Sequence, residues 1–193
     1  MDNTVGSLAR EQKSLIIGAI LGDGYLRIVP GRKNAFLETN HSINQKDYVD
    51  WKYNILRSIV KDGPKERMGN GQRIAYRFYT QCLPEITELF YRFYTNGKKK
   101  VPDSLVIDKL SLAVWFMDDG SKSRSSVYLN TQQFSLEDQI KLQNILLKQH
   151  NIHSRLNKDK KYFRIRVISS DAKRFCNLVK RFIPESMEYK LVQ

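Results

Sequence analysis

The chain has 193 residues, 41% of them hydrophobic and 27% charged, a balance that excludes wholesale disorder. It has no apolar run of about 18 residues, so a membrane-spanning helix is excluded. Its two cysteines, Cys82 and Cys176, exclude a disulfide framework and a cysteine zinc cluster. Thirty-three Lys and Arg against 20 Asp and Glu leave a net charge of +13, which predicts an anionic partner, nucleic acid ahead of a membrane surface.

Residues Met1 to Gln12 lack the apolar stretch of a targeting peptide. The chain is therefore expected in the compartment whose genome encodes it, an organelle matrix or a prokaryotic cytoplasm. The first patterned segment, Leu15 to Gly24, is an apolar helix ending in Asp-Gly. Tyr25–Val29 and Ala35–Asn40 read as a strand pair around a basic turn at Pro30–Lys33. A helix follows from Lys46 to Val60, with Asn44 as its cap and Tyr48, Val49, Tyr53, Leu56, Ile59 and Val60 on its apolar face. Pro64–Met68 and Gln72–Thr80 flank a Gly-Asn-Gly turn at Gly69–Gly71, a hairpin signal. A helix from Pro84 closes this half.

The same order then recurs. Residues 97–110 read as a linker, and Leu112 to Gly120 is a second apolar helix ending in Asp-Gly. Ser121–Ser126 reads as a polar loop and Val127–Asn130 as extended. Ser135 caps a helix to His150, Ser154–Asn157 and Tyr162–Ile168 form a hairpin, and a helix runs from Asp171 to Phe182. Each half reads as αββαββα, which predicts an α+β fold of two lobes, residues 1–96 and 111–193. The first 96 residues carry 14 basic and 10 acidic side chains and the remainder 19 and 10, so the second half holds most of the excess.

In the second strand of each hairpin, arginines alternate with apolar residues: Arg73 and Arg77 with Ile74, Tyr76 and Phe78; Arg164 and Arg166 with Phe163, Ile165 and Val167. A period of two puts the arginines on one sheet face and the apolar side chains against the helices. Two arginine-lined faces in equivalent positions predict a nucleic-acid surface.

The Asp-Gly ends carry the chemistry. Gly24 and Gly120 are expected as positive-φ caps. An acid just before such a cap is electrostatically misplaced, because the C-terminal end of a helix is already partly negative. Asp23 and Asp119 lie 96 positions apart, half the chain. If the two helices pack side by side, both acids emerge at one end, and a divalent cation would offset their repulsion. Gly18 and Gly22 leave a smooth groove for close helix approach.

Ile16–Gly24 and Leu112–Gly120 resemble the paired signatures of the LAGLIDADG homing endonucleases in their double-motif, single-chain form. Leu129-Asn130-Thr131-Gln132 and Met187-Glu188-Tyr189-Lys190-Leu191 add to the likeness. The resemblance implies two curved antiparallel sheets astride DNA, with Asp23 and Asp119 each serving one strand across the minor groove with Mg²⁺, for which Mn²⁺ would substitute. It implies metal contacts at Gly22 and, as a lesser and exposed ligand, Asp118. Lys99 and Lys190 would stabilise charge in the transition state or polarise the attacking water, and Gln132 and Ser42 would order that water. Ser42 is placed to within a position or two, with His41 and Gln45 beside it. DNA contacts are expected from Arg27, Arg32, Lys33, Arg73 and Arg77 in the first half. In the second they are expected from Lys122, Arg124, Arg155, Lys158, Arg164 and Arg166. The implied protein is a monomer on a long, loosely palindromic duplex target. Two alternatives stay open: an RNA-binding intron maturase acting on intron RNA, and a catalytically silent DNA-binding protein.

Overall fold

The computed structural model describes residues 8–69 and 73–192. The centre of the expected Gly69–Gly71 turn and most of the Met1–Gln12 segment lie outside the described residues. The first lobe runs α1 (Arg10–Leu21), β1 (Tyr25–Arg27), β2 (Phe36–Ser42), α2 (Lys46–Leu56), β3 (Lys65–Met68), β4 (Ile74–Tyr79) and α3 (Pro84–Phe93). A short hairpin, β5 (Tyr94–Thr95) and β6 (Lys98–Lys99), occupies part of the expected linker. The second lobe repeats the order with α4 (Lys109–Asp119), β7 (Gly120–Ser123), β8 (Ser126–Leu129), α5 (Leu136–His150), β9 (Ser154–Asp159), β10 (Tyr162–Val167) and α6 (Ser169–Val179). Each lobe has one four-stranded antiparallel sheet, ordered β1-β2-β4-β3 and β7-β8-β10-β9. Among the described residues no helix is long and apolar enough to cross a membrane.

α1 and α4 are apolar nearly all round because both are buried nearly all round. Leu15, Ile16, Ala19, Ile20 and Leu21 of α1 and every residue from Leu112 to Met117 of α4 are fully enclosed. They pack against each other at the centre. A Cβ on Gly18 would lie 2.4 Å from the Ser111 carbonyl oxygen, and one on Gly22 would lie 2.4 Å from Asp118 Cβ. The Ser111 hydroxyl donates to the Ser14 carbonyl at 2.8 Å, and Asp108 caps α4 by accepting from Ser111 N at 2.8 Å. Phe116 faces away from this seam and meets Phe175 edge-on at 5.2 Å.

The caps differ from expectation. Gly120 has a φ of −86°, and the positive-φ glycines among the described residues are Gly31 and Gly97. Gly24 and Gly120 are glycine for space: a Cβ would come within 2.7 Å of the Ala19 carbonyl oxygen in one case and 2.1 Å of the Phe116 ring in the other. Ser42, not Asn44, makes the side-chain cap before α2, accepting from Asn44 N as one turn of 3-10 helix leads in. Ser121–Ser123 are strand rather than loop, because β7 pairs with β8 from Gly120↔Leu129 to Ser123↔Ser126.

The helices cover one face of each sheet, where Leu37, Tyr76, Phe78, Val127, Ile165 and Val167 are buried. The opposite faces are open and basic. Arg27, Lys65, Arg67 and Arg77 share the first, and Arg155, Arg164 and Arg166 share the second. Lys65 stands directly across from Arg77, and Arg155 across from Arg166. Like charges in that position repel, so both faces are built for a polyanion.

Candidate active site at the ends of the paired helices

The C-terminal ends of α1 and α4 open on a cleft of about 520 Å³ between the two sheets. Gly22, Asp23, Lys98, Lys99, Asp119 and Gln132 are among its lining residues. Two carboxylates from opposite lobes thus share one cavity. Burial, and then the charges of Asp23 and Asp118, push the Asp119 carboxyl up to about 7. Asp23 is also raised, by burial and then by Asp118, although its side chain is 49% exposed. The fold thus holds acids close together at the helix ends, with Lys99 and Lys190 offsetting part of their charge.

The two expected lysines approach by matching routes. Lys99 donates to the Gly22 carbonyl at 2.7 Å, and Lys190 donates to the Met117 and Asp118 carbonyls. Each ammonium thus caps the negative end of its own lobe's central helix. Burial lowers both, Lys99 to about 8. Gly22 offers its carbonyl toward the cleft, where Lys99 already engages it.

The remaining expected residues are engaged in different ways. Gln132 lines the cleft, but its amide donates to Asp159 at 2.8 Å. Its neighbour Gln133 is the one that meets the acid, donating to Asp119 Oδ2 at 3.2 Å and to the Leu21 carbonyl at 3.2 Å. Ser42 is spent on its local cap, and the residue of that strand end beside Asp23 is His41, with Nδ1 3.8 Å from Asp23 Oδ2. Asp118 is not exposed. Its side chain is fully enclosed, bonded through Oδ1 to Lys52 Nζ at 2.6 Å and to the Tyr48 hydroxyl at 2.8 Å. Asp23, His41 and Asp118 offer atoms within 4.8 Å of one another, but the Lys52 ammonium already neutralises Asp118. Asp118 Oδ2 is buried without a hydrogen-bond partner, and Asp23 and Asp119 are the acids that line the cleft.

Lys52 is itself fully buried and reaches His41 Nε2 at 3.1 Å. An ammonium only donates, so Nε2 accepts and the proton sits on Nδ1, 3.2 Å from Gln45 Oε1. Burial, then the Lys52 charge, lower His41 to about 4, which keeps the ring neutral near pH 7. Lys52, Tyr48 and Gln133 are site residues that no motif marks. A signal for Lys52 existed, since it sits four residues after Tyr48 and four before Leu56 on the buried stripe of α2.

Residues 13–175 match the LAGLIDADG DNA endonuclease family. The chain belongs to this family. "Probable intron-encoded endonuclease 1" of Wickerhamomyces canadensis is 30% identical over 96% of this chain and 86% of its own length. The homing endonuclease I-WcaI, solved bound to its DNA recognition sequence, superposes with a TM-score of 0.89 at 30% identity, covering 97% of this chain and 88% of that one. The cytochrome b mRNA maturase bI2 of Debaryomyces hansenii is 26% identical over 95% of this chain and 74% of its own length. This LAGLIDADG chain is accordingly a homing endonuclease, a hydrolase of DNA phosphodiesters, in the double-motif form.

Most of the basic residues expected at the endonuclease's DNA surface fall on the open faces or their loops. Arg27, Arg77, Arg155, Arg164 and Arg166 lie on the sheets, Arg73 continues the same alternation, and Arg32, Lys33 and Arg124 are exposed in the connecting loops. Arg164 is stacked over Tyr128 at 4.2 Å, and Arg166 is held by the Ser126 hydroxyl at 2.9 Å. Two do not belong to the open faces. Lys122 is opposite Val127 and Lys158 opposite Phe163, so both stand on the helix side of their sheet. Lys122 donates to the Leu191 carbonyl at 3.2 Å. Lys65 and Arg67 of β3 share the open face in addition.

Proposed function

We propose that this endonuclease cuts both strands of a long, loosely palindromic DNA site, with Asp23 and Asp119 each serving one strand across the minor groove, and that it acts as a monomer with Mg²⁺. The observation that carries the reading is the pair of carboxylates from the two motif helices in one cleft between two basic sheets. The donor chemistry fits a hard divalent cation: the acids facing the cleft offer carboxylate oxygens, and burial, then the charges of Asp23 and Asp118, hold Asp119 near 7. Asp23 and Asp119 would hold it, and it would supply charge neutralisation and activation of the attacking water.

The protein's own groups do the rest. The arginine faces bind phosphates and fix the duplex over the cleft. Gln133 holds Asp119 against the end of α1. Lys99 and Lys190, anchored on carbonyls at the helix ends, present fixed positive charge where the phosphate gains charge during attack. The water oxygen bonds to phosphorus, one ester bond breaks, and the departing sugar oxygen takes up a proton. A maturase or a silent DNA-binding protein needs the basic faces but not two converging acids, so the acids favour the nuclease. Asp23→Asn and Asp119→Asn should each abolish linearisation of a target plasmid and leave target binding within about threefold. Full linearisation by either variant would remove the two-acid reading.

A further inference from the structure

The two lobes are alike in fold but not in what surrounds their acids. Asn54-Ile55-Leu56 and Asn144-Ile145-Leu146 align the helices α2 and α5, a spacing of 90 positions. Under that alignment Lys52 corresponds to Leu142, His41 to Thr131 and Tyr48 to Asp138. In the motif helices Asp118 corresponds to Gly22. One centre therefore has a buried chain of four polar side chains that the other lacks.

The chain can be followed atom by atom. Tyr48 and Lys52 of α2 donate to Asp118 Oδ1 on α4, across the lobe boundary. Lys52 also donates to His41 Nε2 on β2. His41 then gives its Nδ1–H to Gln45 Oε1 at 3.2 Å, and the same nitrogen lies 3.8 Å from Asp23 Oδ2. On the opposite side, Leu142 is buried in an apolar setting, and Thr131 spends its hydroxyl on Gln139 at 3.0 Å. There the acid is held by Gln133 instead.

A fully enclosed ion pair gives little net stability, because desolvation of two charges offsets their attraction. Its geometric effect is specific, however: it fixes which nitrogen of His41 carries the proton and where that proton points. A histidine whose one ring nitrogen is tied in this way is held in a fixed orientation beside the acid it faces, and outer partners of this kind position the groups that act.

We propose that Lys52 and Asp118 are positioning residues that, through His41, set Asp23 for catalysis, and that this device serves only the strand cut at the Asp23 centre. The proposal rests on Asp23 and Asp119 being the two catalytic acids. Its test uses the charge-free pair Lys52→Met/Asp118→Asn, which leaves no buried charge unpaired, alongside His41→Ala and Gln133→Ala. Each variant is given supercoiled plasmid carrying the target, and the cutting rate of each labelled strand is measured together with target affinity and melting temperature. Loss of such supporting contacts typically costs about 10- to 100-fold. The pair variant and His41→Ala should slow the same strand by about tenfold or more and leave the other within about threefold, so that nicked circles accumulate. Gln133→Ala should slow the opposite strand. A merely structural role would lower both strands in proportion with binding, and that result would overturn the proposal. So would a pair variant and His41→Ala acting on different strands. Asp23→Asn distinguishes the deeper failure: if it still linearises the plasmid, the assignment of the acids falls and the proposal with it.

Discussion

Gly18 is one of two glycines at which α1 and α4 leave no room for a side chain, and adding one methyl group there tests how the carboxylates are spaced. A Cβ at this position would sit 2.4 Å from the Ser111 carbonyl oxygen and 2.7 Å from Val114 Cβ. An ordinary carbon–oxygen contact needs about 3.3 Å, so α1 and α4 must part by roughly 0.9 Å in Gly18→Ala. Neither neighbour can swing aside, since one is backbone and the other is the first atom of a β-branched side chain. Overpacking of this kind costs about 1–3 kcal/mol, while alanine's better helix propensity returns at most about 1 kcal/mol. The net loss should be about 1–2 kcal/mol, a fall in Tm of roughly 2–8 °C for a chain of this size. Cleavage should suffer more than stability, because misplacing reacting groups by about 1 Å can cost on the order of 100-fold. Thermal and urea unfolding give the first quantity, and single-turnover cleavage of a target duplex gives the second. A Gly18→Ala protein that melts at or above the wild-type temperature and cuts at the wild-type rate would show that this contact does not set the spacing of Asp23 and Asp119.

Binding should weaken by roughly 10³–10⁵ between 50 and 200 mM salt if about six to ten phosphates are contacted, and a flat profile in a filter-binding assay would exclude the arginine faces as a phosphate track. Arg164→Ala should reduce target affinity more than Lys99→Ala, which should show its loss in rate. Cleavage should stop in excess EDTA, return with Mg²⁺ or Mn²⁺, and remain slow in Ca²⁺ although binding persists. The Asp119 carboxyl is raised from 3.8 to about 7 in the folded chain. The folded state therefore holds the proton more tightly than the unfolded state, and stability from this group declines as pH climbs from about 4 through 7. Metal-free Asp119→Asn should consequently melt above wild type at pH 8, with the gap closing toward pH 4. Sedimentation should give a monomer, since one chain supplies both acids; an obligate dimer would contradict that.

The element order could be read from the sequence because its signals are strong. Leu15–Leu21 and Leu112–Met117 are apolar all round, and the arginine alternation marks β4 and β10. The failures occur where a distant partner decides. Ser121-Lys122-Ser123 has no strand character of its own and is extended because β8 lies alongside. Charge alone points Lys122 and Lys158 at DNA, but strand parity settles their face, and a shift of one position reverses it. Lys52 on an apolar stripe looks like a break in the pattern until Asp118, 66 residues later, is seen against it. The resemblance makes Asp118 a lesser, exposed ligand, because nothing near it in sequence announces the lysine that encloses it. Gln132 and Gln133 are adjacent in a turn, and the backbone decides which of them faces the acid.

The contact between Gly22 and Asp118 also bears on where such a chain can come from and how it can be recombined. A homodimer of the first lobe would set Gly22 against Gly22 and leave two buried Lys52 ammonium groups with no carboxylate. A homodimer of the second would press Asp118 against Asp118 with a leucine, Leu142, in the place of Lys52. Leaving such a charge unpaired is strongly destabilising. The two halves have thus become obligate complements, and a hybrid assembled from half-chains of different relatives should fold only when the donors of residues 52 and 118 match as a lysine with an aspartate or as a neutral pair.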